Sequence, residues 1–349
     1  MTHNQRTLLK TSFATTGQEG LPMAQHPGRR AFIALAGALA FTSMAVQAQT
    51  PFPSRPVTMV IGYPPGAIVD TVARQLATSL SAQLGQQFVP ENKGGAAGAV
   101  GGGFIARAKP DGYTILFTAY TSLQIAAATD RTLNFDPVKD LLPVASIGRP
   151  TTLLLVNADF PAKNFAEFLT YVKANPGKVN FGTSGTGSPN HFALEHMNAA
   201  FGTQMTPVPY KGAAQMLTDM RAGQVQAIFS STSLAAGHLQ VGTVRALAIG
   251  SPDPTPLFPD LPLIASNGAP GLNASGALGM FAPPGTPSAI VEQLNAAVAK
   301  ALQDPAIAQK LAAEGIVIQR QTPAQFGKSY RDEAQQIAEF IKKSELKIK

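Results

Sequence analysis

The sequence predicts a two-domain α/β protein built on parallel sheets, and three observations carry that reading. Its 349 residues exceed one typical domain and suit two, with ample chain to bury two cores. Apolar, β-rich runs alternate with helical patterns, as strands joined by crossover helices do. Two irregular stretches, near Ile147 to Pro150 and Pro262 to Ser275, interrupt the alternation and read as crossovers between domains. The first domain, residues 49–148 plus 274–349, is then made from both ends of the chain, and residues 149–273 form the second.

An extension and an export signal occupy residues 1–48. Arg29-Arg30 precede the apolar run AFIALAGALAFTSMAV, Ala31 to Val46, and Val46-Gln47-Ala48 offers small residues for cleavage after Ala48. The run has 16 residues against the roughly 20 needed to span a bilayer, so a soluble periplasmic product is expected rather than an anchored one. GRRAFI approximates the twin-arginine pattern, and an ordinary Sec signal also tolerates two arginines, so either export route fits. A start at Met23 would leave a signal of ordinary length, and the 22 residues before it resemble neither signal nor domain.

VTMVI, Val57 to Ile61, reads as a buried strand. After the turn that follows it, Val72, Leu76, Leu80 and Leu84 share one helical face, and Gly85 supplies a left-handed C′ position. Further strands are expected at Tyr113 to Ala119, Thr152 to Val156, Val179 to Thr183, Val225 to Ser231, Val244 to Gly250 and Gly276 to Ala282. Helices fill the intervals. Asn164 with Glu167 makes a capping box, and Pro287 stands where an N1 proline belongs before AIVEQLNAAVAKALQ.

Composition excludes much chemistry. The absence of cysteine removes disulfides, thiolate nucleophiles and cysteine-bearing zinc or iron-sulfur sites. Of the net charge of +7, Arg6, Lys10, Arg29 and Arg30 against Glu19 put +3 before residue 49, and the remaining basic residues are scattered, so no nucleic-acid partner is expected. GGAAGAVGGG, Gly94 to Gly103, meets loose glycine fingerprints. PENK precedes it instead of a first strand, so it reads as a flexible loop entering a helix and no cofactor is expected. His191 and His196 in HFALEH are five apart and do not share a helical face as zinc ligands must, and His238 stands alone. GTSGT misses the nucleophile elbow because Thr186 replaces a glycine, and SELK, Ser344 to Lys347, matches S-x-x-K only in a C-terminal tail. No catalytic residues are assigned.

What recurs is a strand ending in a turn of small hydroxyl and glycine residues that opens into a helix: GYPPGAIVDT, TAYTS, GTSGTGSPNH and FSSTS. A helix N-terminus leaves N–H groups unpaired and carries partial positive charge, so such turns bind carboxylate or phosphate without lysine or arginine. The turn from Tyr63 to Ala67 is expected to present N–H groups to an anion, with Pro64 and Pro65 fixing its shape and Gly66 allowing close approach. The plainer reading is capping, with Asp70 or Ser188 simply an N-cap.

The Tyr63-Pro64-Pro65-Gly66 turn with Asp70, PENKGGAAGAVGG, PDGYTIL, NFDPVKDLLPVA, KANPGKVNFGTSGTGSPNH, VPYKGAAQMLTDMRAGQV and FAPPGTPSAIVEQLN, in that order, resemble the solute-binding receptors of tripartite tricarboxylate transporters, the Bug receptors. The resemblance runs from about Phe52 to the C-terminus. It implies a type II periplasmic binding protein, two α/β domains joined by two hinge crossovers with the ligand in the cleft between them. It also implies a monomer that performs no chemistry, closes on its ligand and docks on membrane components of the transporter; a receptor feeding a sensor kinase would look the same. A carboxylate would be held by backbone amides, hydroxyls and waters from Tyr63, Pro65, Gly66, Ala67, Ile68, Asp70 and Thr71 on one domain and from Ser184, Gly185, Thr186, Gly187, Ser188 and His191 on the other.

Two departures bear on the ligand. Ala67 stands where many members have a second glycine, which crowds the approach. Ser230 stands where many carry aspartate, which makes an amino-acid ligand a poor fit. With hydroxyls at Thr121, Ser122, Ser188, Ser230 and Ser231 and apolar Ile68, the expected cargo is a di- or tricarboxylate or an aromatic carboxylate without an amino group. Gly187→Pro is expected to weaken binding while sparing the fold. An exported hydrolase is the distant rival.

Overall fold

The computed structural model describes Gly20 and residues 51–129, 133–210 and 213–344. The expected signal peptide, its cleavage after Ala48, the start at Met23 and the SELK tail beyond Ser344 lie outside the described residues. In chain order the elements are β1 Val57–Ile61, α1 Ile68–Leu84, β2 Phe88–Asn92, a 3-10 turn Ala96–Gly98, α2 Ala99–Ile105, β3 Thr114–Ala119, α3 Tyr120–Thr129, α4 Pro137–Asp140, β4 Leu142–Pro150, β5 Thr152–Asn157, α5 Phe165–Ala174, β6 Asn180–Thr183, α6 Pro189–Phe201, β7 Thr206–Pro209, α7 Ala213–Arg221 and β8 Ala227–Ser231. There follow α8 Thr232–Gln240, β9 Val244–Ile249, a 3-10 turn Ala265–Asn267, β10 Leu278–Ala282, α9 Ser288–Ala301, α10 Pro305–Ala313, β11 Ile316–Ile318 and α11 Pro323–Ser344.

All seven expected strands form, and the caps are close to expectation. Val72, Leu76 and Leu80 are buried, and Gly85 ends α1 at φ 70° with its N–H donated to Ser81 O. Asn164 accepts from the Glu167 N–H at 2.9 Å, while Glu167 reaches back to accept from the Lys163 N–H at 2.7 Å. Pro287 is the N-cap of α9, one position before the expected N1; its fixed φ serves either place.

The strands form two sheets, ordered β11-β4-β10-β3-β1-β2 and β7-β6-β8-β5-β9. Each is mixed, not purely parallel: β10 runs antiparallel to β3 and β4, and β5 antiparallel to β8 and β9. Helices cover both faces of each. Leu76 and Leu80 of α1 and Leu294 of α9 pack with Met59 and Ile61 on one face of the first sheet, and Leu123, Phe326 and Tyr330 with Val60 and Leu116 on the other. Phe168, Leu194 and Met197 pack with Phe181 and Phe229 on one face of the second, and Met216, Leu217 and Ala235 with Leu155 and Ile228 on the other.

The stretch from Ile147 to Pro150, expected to be irregular, is the end of β4. Its prolines lie near the strand's two ends, and bulges in the ladder with β10 absorb the misfit. Sheet membership therefore changes at Thr151 alone, two residues past the expected boundary, and changes back between Ile249 and Leu278.

Register brings the four hydroxyl-glycine turns to one place. Ile61 pairs with Phe117, Ala119 with Leu278, and Leu278 with Gly148. The C-terminal ends of β1, β3 and β4 thus share an edge, from which Thr151 leads directly into β5. Thr152 pairs with Ser231, and β6 runs parallel to β8, so the C-terminal ends of β6 and β8 meet the same crossover. Ligands of open α/β sheets bind at such carboxyl ends.

Candidate functional site

The Tyr63 turn is held from beneath. Asp70 is buried, and its Oδ2 accepts the Gly66 N–H at 2.9 Å. Its Oδ1 accepts from Arg74 Nε at 2.9 Å and from Asn92 Nδ2 at 2.8 Å, and Asn92 also donates to Tyr63 O at 2.9 Å. Arg74 Nη2 closes the ring on Asn92 Oδ1 at 2.7 Å. Burial alone would raise the Asp70 pKa; the bonds from Arg74, Gly66 and Asn92 outweigh it and hold the value at about 2.

Two expectations change here. The Gly66 N–H is not offered to a ligand because Asp70 takes it. Asp70 is not an N-cap either: Ala67 holds that position, without a side-chain hydrogen bond. The first three N–H groups of α1, from Ile68, Val69 and Asp70, consequently have no acceptor among the described residues, which is the arrangement an anion completes.

The second turn is self-braced. Ser188 caps α6, accepting weakly from the His191 N–H at 3.4 Å, and lies 2.7 Å from Gly185 O. Asn190 accepts the Ser184 N–H at 3.1 Å and donates to Ser184 Oγ at 3.0 Å. Gly187 donates its N–H to His191 Nδ1 at 3.0 Å, so the imidazole proton sits on Nε2, 3.7 Å from Glu195 Oε1. Burial lowers the His191 pKa. No serine-histidine pair forms in this turn. The N–H groups of Gly185 and Thr186 have no acceptor among the described residues. Gly187 lies at φ 77°, which proline cannot adopt; the expectation that Gly187→Pro spares the fold does not hold.

At the third turn, Ser122 is buried, and burial raises the pKa of the Tyr63 phenol. Thr121 is spoken for: it donates to Glu333 Oε1 at 3.0 Å and accepts the Ala277 N–H at 3.1 Å. At the fourth, Ser231 caps α8, accepting from the Leu234 N–H at 3.4 Å, and Ser230 is buried with its hydroxyl unpartnered. Ile68 is half-buried, while Pro65 and Thr71 are exposed, with Thr71 Oγ1 donating back to Ala67 O.

Sequence reasoning missed the supports. Asn92, in the quoted PENK, ends a strand that its proline disguises. Asn190 lies inside the quoted SPNH. Arg149 and Glu333, far apart in sequence, form a buried ion pair, with Arg149 donating to Glu333 at 2.5 and 3.2 Å. Asn273 on the second crossover donates to the same carboxylate at 3.2 Å, so both crossovers are pinned to α11. A cavity of about 300 Å³ beside this pair is lined by Thr121, Phe192, His196, Asn273 and Phe340 among others; of the expected ligand residues it includes Thr121. Among the described residues, no group of three or more His, Asp or Glu side chains is arranged to hold a metal ion, and no helix is long and apolar enough to cross a membrane.

A family profile described as tripartite tricarboxylate transporter family receptor matches residues 72–346. The periplasmic binding protein BugD superimposes with a TM-score of 0.68 at 32% identity, covering 84% of this chain and 99% of BugD. An R. palustris protein solved with adipate gives 0.71 at 30% identity, covering 84% and 98%. MatC from Rhodopseudomonas palustris, solved with bound malate, gives 0.68 at 32% identity, covering 83% and 100%.

Proposed function

Because the chain belongs to the tripartite tricarboxylate transporter receptor family, as a solute-binding receptor with the two-domain periplasmic-binding-protein fold, we propose that it captures a small dicarboxylate lacking an amino group in the cleft between its sheets. The observation that carries the reading is the pair of free N–H sets on opposite sides of the crossover, Ile68 to Asp70 and Gly185 to Thr186. Among the described residues, Arg74 and Arg149 are committed to Asp70 and Glu333. Ser188 and Ser230 add neutral hydroxyls, and Ser230 brings no charge to receive an ammonium group. The relatives solved with adipate and malate fit this class.

In this reading the lobes divide at Thr151 and between Ile249 and Leu278, the chain is exported by its N-terminal signal and acts in the periplasm as a monomer, and it performs no chemistry. Contact with both lobes lets the ligand favour the closed state, which then docks on the membrane components of the transporter.

Thermal unfolding of the chain from Gln49 against adipate, malate, citrate, benzoate, glutamate and phosphate tests it. Ligand at about 100 times its dissociation constant adds roughly 2.7 kcal/mol. A shift with an aliphatic dicarboxylate and none with glutamate is expected; a shift with glutamate or phosphate alone would overturn the ligand class.

A further inference from the structure

Of the five large apolar side chains exposed among the described residues, three lie at one edge of the first sheet: Val89, Val100 and Phe104, at 48%, 52% and 42% exposure. Val100 and Phe104 stand one turn apart on α2. β2 is the edge strand, and its Val89 and Glu91 pair with Thr58 and Val60. Val60 packs with Ile105 of α2, so Val89 projects on the side of the sheet that α2 covers. Lys93 joins strand to helix, pairing with Glu91 while its ammonium lies 4.6 Å over the Phe104 ring. Arg107, just past Phe104, and Lys109 are exposed and have no acidic partner among the described residues. The result is an apolar patch with a basic rim.

The patch is wired to the Tyr63 turn. A Cβ added at Gly94 would lie 2.9 Å from Pro64 N, one at Gly98 3.6 Å from the Tyr63 ring, and one at Gly95 3.0 Å from Val100. Between them Ala96 and Ala97 hold φ of 45° and 55°, left-handed values that alanine adopts only when its surroundings enforce them. A loop this tight and strained has no slack to absorb movement of the turn, so a change there reaches Val100 and Phe104.

We propose that Val89, Val100 and Phe104 form the surface on which an acidic, apolar-tipped periplasmic segment of a membrane protein docks, and that the strained loop makes docking responsive to the ligand turn. This rests on the receptor reading above.

The test places a photo-reactive benzoylphenylalanine at Phe104, and as a control at the exposed Leu257, in the full chain within its native cells, and identifies cross-linked peptides by mass spectrometry. The expected product at Phe104 is an integral membrane protein joined through a peptide of net negative charge, reduced about tenfold by Val100→Asp, as for a lost interface anchor. Cross-links to a second copy of this chain, to a peptide without negative charge, at equal yield from Leu257, or none at all would each overturn the proposal. The carboxylate panel is run on the same variants. Unchanged thermal shifts without a cross-link would reject docking alone, and absent shifts in the unmodified chain would reject the receptor reading.

Discussion

Replacing Asp70 by asparagine isolates the group that shapes the first ligand turn. The carboxylate holds Gly66, Arg74 and Asn92 at once, and its pKa falls from the ordinary 3.8 to about 2. At about 1.4 kcal/mol per pH unit, that shift corresponds to about 2 kcal/mol of folding stability at neutral pH. Because the folded value is depressed, the contribution is complete above about pH 5 and is lost as pH falls through the folded value; at pH 3 about half remains. Urea unfolding of Asp70→Asn and the parent chain from pH 7 to pH 3 should therefore give a deficit of about 2 kcal/mol that shrinks to about 1 kcal/mol. Binding to the first turn should weaken with it, because asparagine's amide would confront a donor. A deficit independent of pH would refute the assignment of the charge as what holds the turn.

Other outcomes follow from the same geometry. Ser230→Asp should weaken binding of a dicarboxylate in isothermal titration, since it places a like charge where a buried neutral hydroxyl stands; tighter binding would refute the charge argument. Glu333→Ala should cost about 3 to 5 kcal/mol in chemical denaturation by stranding Arg149, whereas a paired Arg149→Met and Glu333→Leu exchange should recover most of it. Burial lowers both His191 and His196, so the folded chain favours neutral rings: stability is complete above the ordinary imidazole value near 6.5 and falls as pH drops below it. Melting curves between pH 7.5 and 5 should show that fall, and His191→Gln should lessen it.

The fold was legible where one physical signal dominated. The Val72 to Leu84 stripe, the seven apolar strands and the Asn164 cap are local, and local rules found them. β4 was not legible because Pro143, Gly148 and Pro150 all argue against a strand, and only pairing with β10 and β11 overrides them. At the site, the turns could be read from their composition, but which N–H groups remain free could not. That depends on Asp70 and Asn92 being neighbours across a strand and a helix, and on Ala67, a residue unable to cap, occupying the cap position. The partner of Thr121 could not be read for a similar reason: its hydroxyl is bound to Glu333, which lies on the last helix.

The position of β10 has a consequence for synthesis. It lies between β3 and β4 in the first sheet, yet it follows the whole of residues 151–277. A chain emerging N-terminus first completes β1 to β4 and still cannot join β4 to its neighbours, because the strand that must separate β4 from β3 has not been made. The second sheet can finish earlier, all of its strands lying between Thr152 and Ile249. The first sheet closes last, after β10 and then β11 have arrived, and until then β3 is unpaired on one side and β4 on both. Such late closure makes completion of the first sheet a late, non-local step in folding, dependent on a strand that follows the whole of the second sheet in the chain.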